Sequence, residues 1–297
     1  MDSYPEPAAA EVARLTASAA ADPAAAAAFQ GAPGAYSHQA VREALPDAVP
    51  LPCLTFAATI DAVRDGRAAR AVLPVENSQA GRVADIHFLL PESGLHIVGE
   101  HFVRVRHCLL GRSGAARADI VRAHSHPQAL GQCRHRLASW GIEARAEIDT
   151  AASAALVAST ADSSMAAIAS ELAGELYGLD IIEAGIEDEA HNTTRFLILS
   201  TETGEEVVSA DAITTLIFEV RSVPAALFKA LGGFATNGVN LTKLESYMRG
   251  GQFRAAEFYV DIEGRPEDPP VARALDELAH FSKWVRILGT YRSALKR

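Results

Sequence analysis

His191-Asn192-Thr193-Thr194-Arg195-Phe196 runs directly into Leu197-Ile198-Leu199, a polar turn feeding a buried strand. The apolar run fixes the backbone in a sheet. The turn then presents an amide, two hydroxyls and a guanidinium side by side. Groups of this kind bind and protonate a small anion. Thr and Arg also cap strands for solubility, so the stretch by itself supports either reading. Recurrence tips the balance, because similar polar junctions return along the chain.

Outward from that turn, short apolar runs alternate with helical patterns from Phe29 onward. Ala71–Val75, Gly94–Glu100, Arg106–Leu110, Ile120–His124 and Ala166–Ala169 read as strands, and 127–139, 151–160 and 171–177 as helices. Strands separated by helices of about 10–15 residues predict βα units and largely parallel sheets. Four junctions share one design: Gln30–Ser37 with Gly31 and Gly34, Pro74–Gly81, Ser125-His126-Pro127-Gln128, and Asp149-Thr150-Ala151. Ser37 is read as a helix cap and Pro127 as a first helical residue. Helix N-termini of this kind attract carboxylates and phosphates, each contributing about 0.3–1 kcal/mol. In open α/β sheets ligands gather at the carboxyl ends of strands, where all five segments lie. The GxxG of the first junction lacks a third glycine and a following P-loop Lys, which argues against a nucleotide site.

Residues 201–213 form a polar linker, after which the pattern changes. Thr215–Val220 is a strand, Pro224–Thr236 a helix ending at Asn237-Gly238, and Asn240–Met248 a strand. Arg249–Gln252 is a turn, Phe253–Ile262 a strand, Pro270–His280 a helix and Trp284–Tyr291 a strand. That order is βαββαβ, a two-layer module suited to sensing or oligomerisation.

The 297 residues suffice for two domains and a smaller unit. The net charge of −10, with no dense Lys/Arg cluster, excludes a phosphate-backbone footprint and so a nucleic-acid partner. An anionic substrate must be held by local dipoles against that field. Cys53, Cys108 and Cys133 show no metal or disulfide spacing and read as reduced thiols; no metal and no cofactor is expected. The Ala-rich N-terminus lacks a secretory pattern, although 8–21 has helical character, and no run of about 18 apolar residues spans a membrane. A cytoplasmic location follows as the expectation.

The ordered set GAPGAYSH (31–38), PVENSQAGRV (74–83), HCLLG (107–111), SHPQALGQC (125–133), DTAASAA (149–155) and NTTRF (192–196), followed by the βαββαβ module, resembles bacterial prephenate dehydratase from Phe29 to about Tyr291. The resemblance implies an α/β fold: a catalytic domain of two lobes like a type 2 periplasmic binding protein, plus a C-terminal ACT domain of α+β type. The domain expectation is an extension at 1–27, the catalytic domain at 28–202 with its second lobe at about 106–187, and the ACT domain at 213–292. The implied reaction converts prephenate to phenylpyruvate, carbon dioxide and water in phenylalanine biosynthesis. It is a carbon–oxygen lyase reaction in a homodimer or homotetramer, with L-phenylalanine as allosteric effector.

By motif position the resemblance makes Thr194 the group that protonates or hydrogen-bonds the leaving hydroxyl. Asn77, Ser125 and Gln132 become catalytic pocket residues. Ser37, Glu76, Ser78, Asp149, Thr150, Thr193, Arg195 and Phe196 become substrate contacts. Arg195 reads equally as a carboxylate clamp or as a lobe-bridging ion pair. The effector site would use Ala226, Leu227, Asn240, Leu241, Glu245 and Ser246. There the family's Gly-Ala-Leu is Ala225-Ala226-Leu227, and its Glu-Ser-Arg-Pro is Glu245-Ser246-Tyr247-Met248. Phe88 replaces an acidic residue before Leu89-Leu90, read as a packing change, and the first 28 residues match no part of the family. An arogenate dehydratase is the near rival, and a non-catalytic amino-acid-binding sensor the distant one.

Overall fold

The computed structural model describes residues 4–221, 223–247 and 257–295. The expected Arg249–Gln252 turn, Met248 and the strand start at Phe253 lie outside the described residues. The chain divides into two compact units, 1–89 with 101–197, and 90–100 with 198–297.

The first unit opens with α1 (Ala8–Ala21), whose Ala8, Leu15 and Ala19 are buried. Leu15 and Ala19 are four residues apart and share one face, which packs on the strand at Val49–Cys53. The segment expected as an appended extension therefore contributes to the core of this unit. Then follow β1 (Ala26–Gln30), α2 (Tyr36–Ala44), β2 (Val49–Cys53), α3 (Phe56–Arg64), β3 (Arg70–Asn77), the two-residue β4 (Gly81–Arg82), α4 (Ala84–Leu89) and β5 (His96–Arg104), of which residues 101–104 belong to this unit. The four-residue run Ala26–Phe29 is fully buried, as a central strand covered on both faces must be. β1 lies parallel to β2 and to β3.

A second lobe holds β6 (Cys108–Gly111), β7 (Arg122–Ser125), α5 (Pro127–Gln132), α6 (Arg134–Trp140), β8 (Glu143–Ala146), α7 (Thr150–Ser159), β9 (Met165–Ala169), α8 (Glu171–Tyr177) and β10 (Asp180–Ala184). Its sheet runs β10-β6-β9-β7-β8. Only the β7 pairs are parallel; β6 is antiparallel to both β9 and β10, which corrects the expectation of largely parallel sheets. The chain enters this lobe along β6 and leaves it along the neighbouring strand β10, so those two strands run in opposite directions. It then returns through β11 (Thr193–Ser200), completing the first sheet in the order β2-β1-β3-β11-β5 with β4 paired to β3.

Two local departures shape the site. The helix expected over 127–139 breaks at buried Cys133, whose φ is −114°. The carboxylate of Asp188 accepts the backbone N–H groups of His135 (3.1 Å) and Arg136 (3.3 Å), capping α6 afresh. Gln132 is thereby left at a helix end. The loop after β1 makes the second departure. Gly34 has φ +91°, and a Cβ there would lie 2.8 Å from the Cα of Ala173 on α8. Its close approach is to the other lobe. Ser170 Oγ donates to the Gly34 carbonyl (2.5 Å) and Tyr177 OH to the Pro33 carbonyl (2.6 Å).

The second unit contains β12 (Ala212–Val220), α9 (Ala226–Thr236), β13 (Leu241–Tyr247), β14 (Glu257–Glu263), α10 (Pro269–Phe281) and β15 (Ser282–Arg292). This is the expected βαββαβ order, as an antiparallel sheet β13-β14-β12-β15. Leu216, Phe218, Phe234, Val260, Ile262 and Leu278 form its core between sheet and helices. Pro224 does not start α9. Ala225, with φ +59°, caps it and the helix begins at Ala226.

Candidate active site

A cleft of about 530 Å³ opens between the lobes of the first unit, a size suited to a small-molecule ligand. The ends of β3 and β11 meet there. Asn77 closes its own turn: its Oδ1 accepts the backbone N–H groups of Gln79 (3.0 Å) and Ala80 (2.9 Å). Those two donors fix the carboxamide, so Nδ2 must face β11. It donates to Asn192 Oδ1 (2.6 Å) and to Thr194 Oγ1 (2.9 Å). Thr194 lines the cleft. Its oxygen accepts from Asn77, and among the described residues no acceptor takes its proton, which leaves the hydroxyl able to donate into the cleft.

The remaining predicted residues divide. Ser37, Gln132, Asp149, Thr150 and Phe196 line the cleft beside Asn77 and Thr194. Ser37 sits inside the first turn of α2, whose cap is Ala35, so it is not the expected N-cap. Thr193 and Ser78 do not line the cleft. They stitch the β3–β4 hairpin to β11: Ser78 Oγ donates to the His191 carbonyl (2.9 Å) and accepts Thr193 N–H (3.0 Å). Glu76 and Arg195 form a buried-side ion pair at 3.5 Å between adjacent strands of one sheet, away from the cleft lining. Both partners belong to one lobe, so this ion pair does not itself bridge the lobes. Ser125 is corrected. It is fully buried in β7, and its Oγ donates to the Ile168 carbonyl at 2.5 Å, toward β9 and not the cleft. The Pro74–Gly81 junction is a hairpin and not a strand-to-helix turn.

Asp149 caps α7 by accepting Ala152 N–H at 2.8 Å. Burial pushes its carboxyl above the usual range, against the lowering effect of the Ala152, Ala151 and Ala32 backbone N–H groups.

Sequence reasoning did not select Tyr36, Arg82, His107, His126, Gln128 or Asn192, all of which line the cleft. Every one lies inside a motif already quoted. Weighing hydroxyls and amides at junctions passed over the rings of Tyr36, His107 and His126, while Asn192 entered only as the amide of the 191–196 turn, and Arg82 and Gln128 were quoted without a role. His107 accepts or donates at both nitrogens: Nδ1 faces Tyr36 OH and Nε2 faces Gln132 Oε1, each at 2.8 Å. Burial lowers its pKa, with Gln132 and Glu187 opposing, so the neutral ring is favoured. The Nδ2 of Asn192, buried at the same site, has no hydrogen-bond partner. Among the described residues no group of three or more His, Cys, Asp or Glu side chains converges as a metal site, and no helix is long and apolar enough to cross a membrane.

In the second unit, Ala226, Leu227 and Ser246 line one groove with Arg221, Phe228 and Phe258. Asn240 lines a different groove, with Glu263 and Arg292. Leu241 and Glu245 line neither, and Glu245 pairs with Lys243 at 3.1 Å.

A family model described as prephenate dehydratase matches residues 27–204. The chain belongs to the prephenate dehydratase family. It is 54% identical, over 89% of its length and 94% of the relative's, to a bifunctional N-acyl-homoserine lactone acylase/prephenate dehydratase of Komagataeibacter europaeus. It is 40% identical to arogenate dehydratase/prephenate dehydratase 2, chloroplastic, of Arabidopsis thaliana, over 89% of this chain and 72% of that one. Among solved structures, prephenate dehydratase from Arthrobacter aurescens in complex with L-Phe matches with a TM-score of 0.82 and 29% identity, covering 91% of this chain and 90% of that chain. The mixed α/β fold is that of prephenate dehydratase structures.

Proposed function

We propose that this chain converts prephenate to phenylpyruvate in phenylalanine biosynthesis, with Thr194 hydrogen-bonding and protonating the departing hydroxyl. The observation that carries the reading is the Thr194 hydroxyl, held by Asn77 through its oxygen and left with its proton to donate in a cleft of ligand size. In the step, the electron pair of the ring–carboxylate bond becomes ring π density as carbon dioxide leaves. The ring–oxygen bond breaks and hydroxide departs with a proton as water. Aromatisation supplies the driving force, so the protein needs only to place the dianion and assist the leaving oxygen. Thr150 at the start of α7, Gln132, Asn192 and Arg82 are the cleft groups suited to the carboxylates.

The test is incubation of purified protein with prephenate, following phenylpyruvate. Thr194→Val keeps the side-chain shape and loses the hydroxyl; turnover should fall by about 10²–10⁴-fold, with KM little changed. Equal turnover in variant and parent removes the role from Thr194, and substrate binding without product in the parent would make this a sensor. Arogenate in a parallel arm reports the rival substrate that the plant relatives' names include. An N-acyl-homoserine lactone in another arm reports the second activity in the Komagataeibacter relative's name.

The bound L-Phe of the Arthrobacter structure and the βαββαβ unit support an ACT regulatory role for 213–292. The groove with Ala226, Leu227 and Ser246 is the proposed effector surface. L-phenylalanine added to the same assay should lower activity. A homodimer or homotetramer in the cytoplasm is the corresponding assembly and setting.

A further inference from the structure

We propose that His107 is a positioning residue: it anchors the Oε1 end of the Gln132 carboxamide so that the Nε2 amide is presented as a donor to a substrate carboxylate. The proposal rests on the reading of the cleft as the prephenate site, and deepens it.

His107 lies where the chain crosses between lobes, and its place is fixed from both sides. Its N–H donates to Glu187 Oε2 (2.9 Å), and its carbonyl accepts Ile186 N–H (3.0 Å) from the returning crossing. The ring is 2% exposed and meets Tyr36 edge-on, with centroids 5.6 Å apart. A buried neutral imidazole carries one proton. Gln132 Oε1 stands 2.8 Å from Nε2 and is an acceptor, so Nε2 bears that proton. Nδ1 is then the acceptor for Tyr36 OH, whose proton it shares with the Arg106 carbonyl, both at 2.8 Å.

The consequence lies at the other end of Gln132. Its carboxamide uses one of two polar ends on His107, and among the described residues no acceptor takes its N–H groups. The residue is half-buried and lines the cleft. A free carboxamide rotates and offers its oxygen to an anion as readily as its nitrogen. With Oε1 held by His107, only the donor end remains for the cleft. Tyr36 comes from one lobe and Gln132 from the other, so this one ring ties the orientation of a cleft donor to the alignment of both lobes.

The experiment compares two polar replacements. Glutamine can place an amide N–H near the former Nε2, whereas asparagine reaches only the region of Nδ1. His107→Asn should raise KM for prephenate about tenfold with kcat within about twofold, because the lost interaction serves ground state and transition state alike. His107→Gln should restore the parental KM. Gln132→Leu should raise KM similarly, and His107→Asn added to it should cost nothing further. A His107→Gln as impaired as His107→Asn means that only the ring's bulk matters, and overturns the proposal. If Gln132→Leu raises KM and His107→Asn does not, positioning fails while the cleft reading survives. If Gln132→Leu leaves KM unchanged, the cleft reading fails at Gln132 and the proposal goes with it. Should His107→Asn not fold, His107→Gln decides alone: parental KM supports the anchor and a raised KM refutes it.

Discussion

At the scale of single residues, conformation and chemistry compete most visibly at Ala225. It holds φ +59° as the cap of α9, where the family resemblance expects glycine. A Cβ in the left-handed region costs about 1–2 kcal/mol, partly offset because alanine loses less freedom than glycine on folding. Ala225→Gly should therefore stabilise the protein by about 0.5–1 kcal/mol, read as a higher urea midpoint with unchanged slope. A lower midpoint would show that alanine's restriction of the unfolded chain outweighs the strain. Ser125 and Thr194 illustrate what residue type alone conveys. Both are hydroxyls at strand ends, and the sequence treated both as site residues. Thr194 starts its strand beside the Asn77 turn and reaches the cleft, whereas Ser125 ends its strand with its side chain turned to the Ile168 carbonyl. Strand alternation puts neighbouring side chains on opposite faces, and nothing local to Ser125 shows which face is which.

At the scale of elements, the sequence revealed what is local and hid what is made between elements. The βαββαβ order, α1, α8 and the Asp149 cap were legible because periodicity and capping residues sit within a few positions of one another. The break at Cys133 was not, because its cause is Asp188, far along the chain. The docking of the Gly31–Gly34 loop was hidden for the same reason, since Gly34 lies against Ala173 on α8 of the other lobe. Gly34→Ala tests this assignment. It combines a left-handed φ with a Cβ 2.8 Å from backbone, and neither can relax without moving the loop off Ser170 and Tyr177. A loss of about 3 kcal/mol is expected. Because Tyr36 and Ser37 follow that loop into the cleft, KM should rise in the fraction that folds. Parental stability and KM would mean that the loop does not hold the lobes.

At the scale of the whole molecule, a net charge of −10 sets an unfavourable field for the proposed dianionic substrate, and the cleft offers it oriented dipoles and few charges. Burial sets the other global property, the dependence of stability on pH. His38 stacks on Phe29 at 4.9 Å and its Nδ1 accepts the Gly34 N–H, so it must stay neutral to keep the loop in place. Burial, with Arg42 adding to it, lowers its pKa from 6.5 to about 4. Above pH 6.5 the ring is neutral in folded and unfolded chains alike, and the group is silent. Below that the unfolded chain takes up a proton that the folded one refuses, so stability falls as pH drops toward about 4, by about 3 kcal/mol at most. His107, lowered by burial, acts in the same direction. His38→Asn supplies an acceptor for Gly34 N–H without a titrating ring. Urea midpoints taken from pH 7 down to pH 4 should show the variant offset at neutral pH by the lost stacking, and the gap between variant and parent closing as the pH falls. Carboxylates common to both proteins cancel in that difference. Two curves that stay parallel through the window would show that His38 titrates no differently in the folded chain.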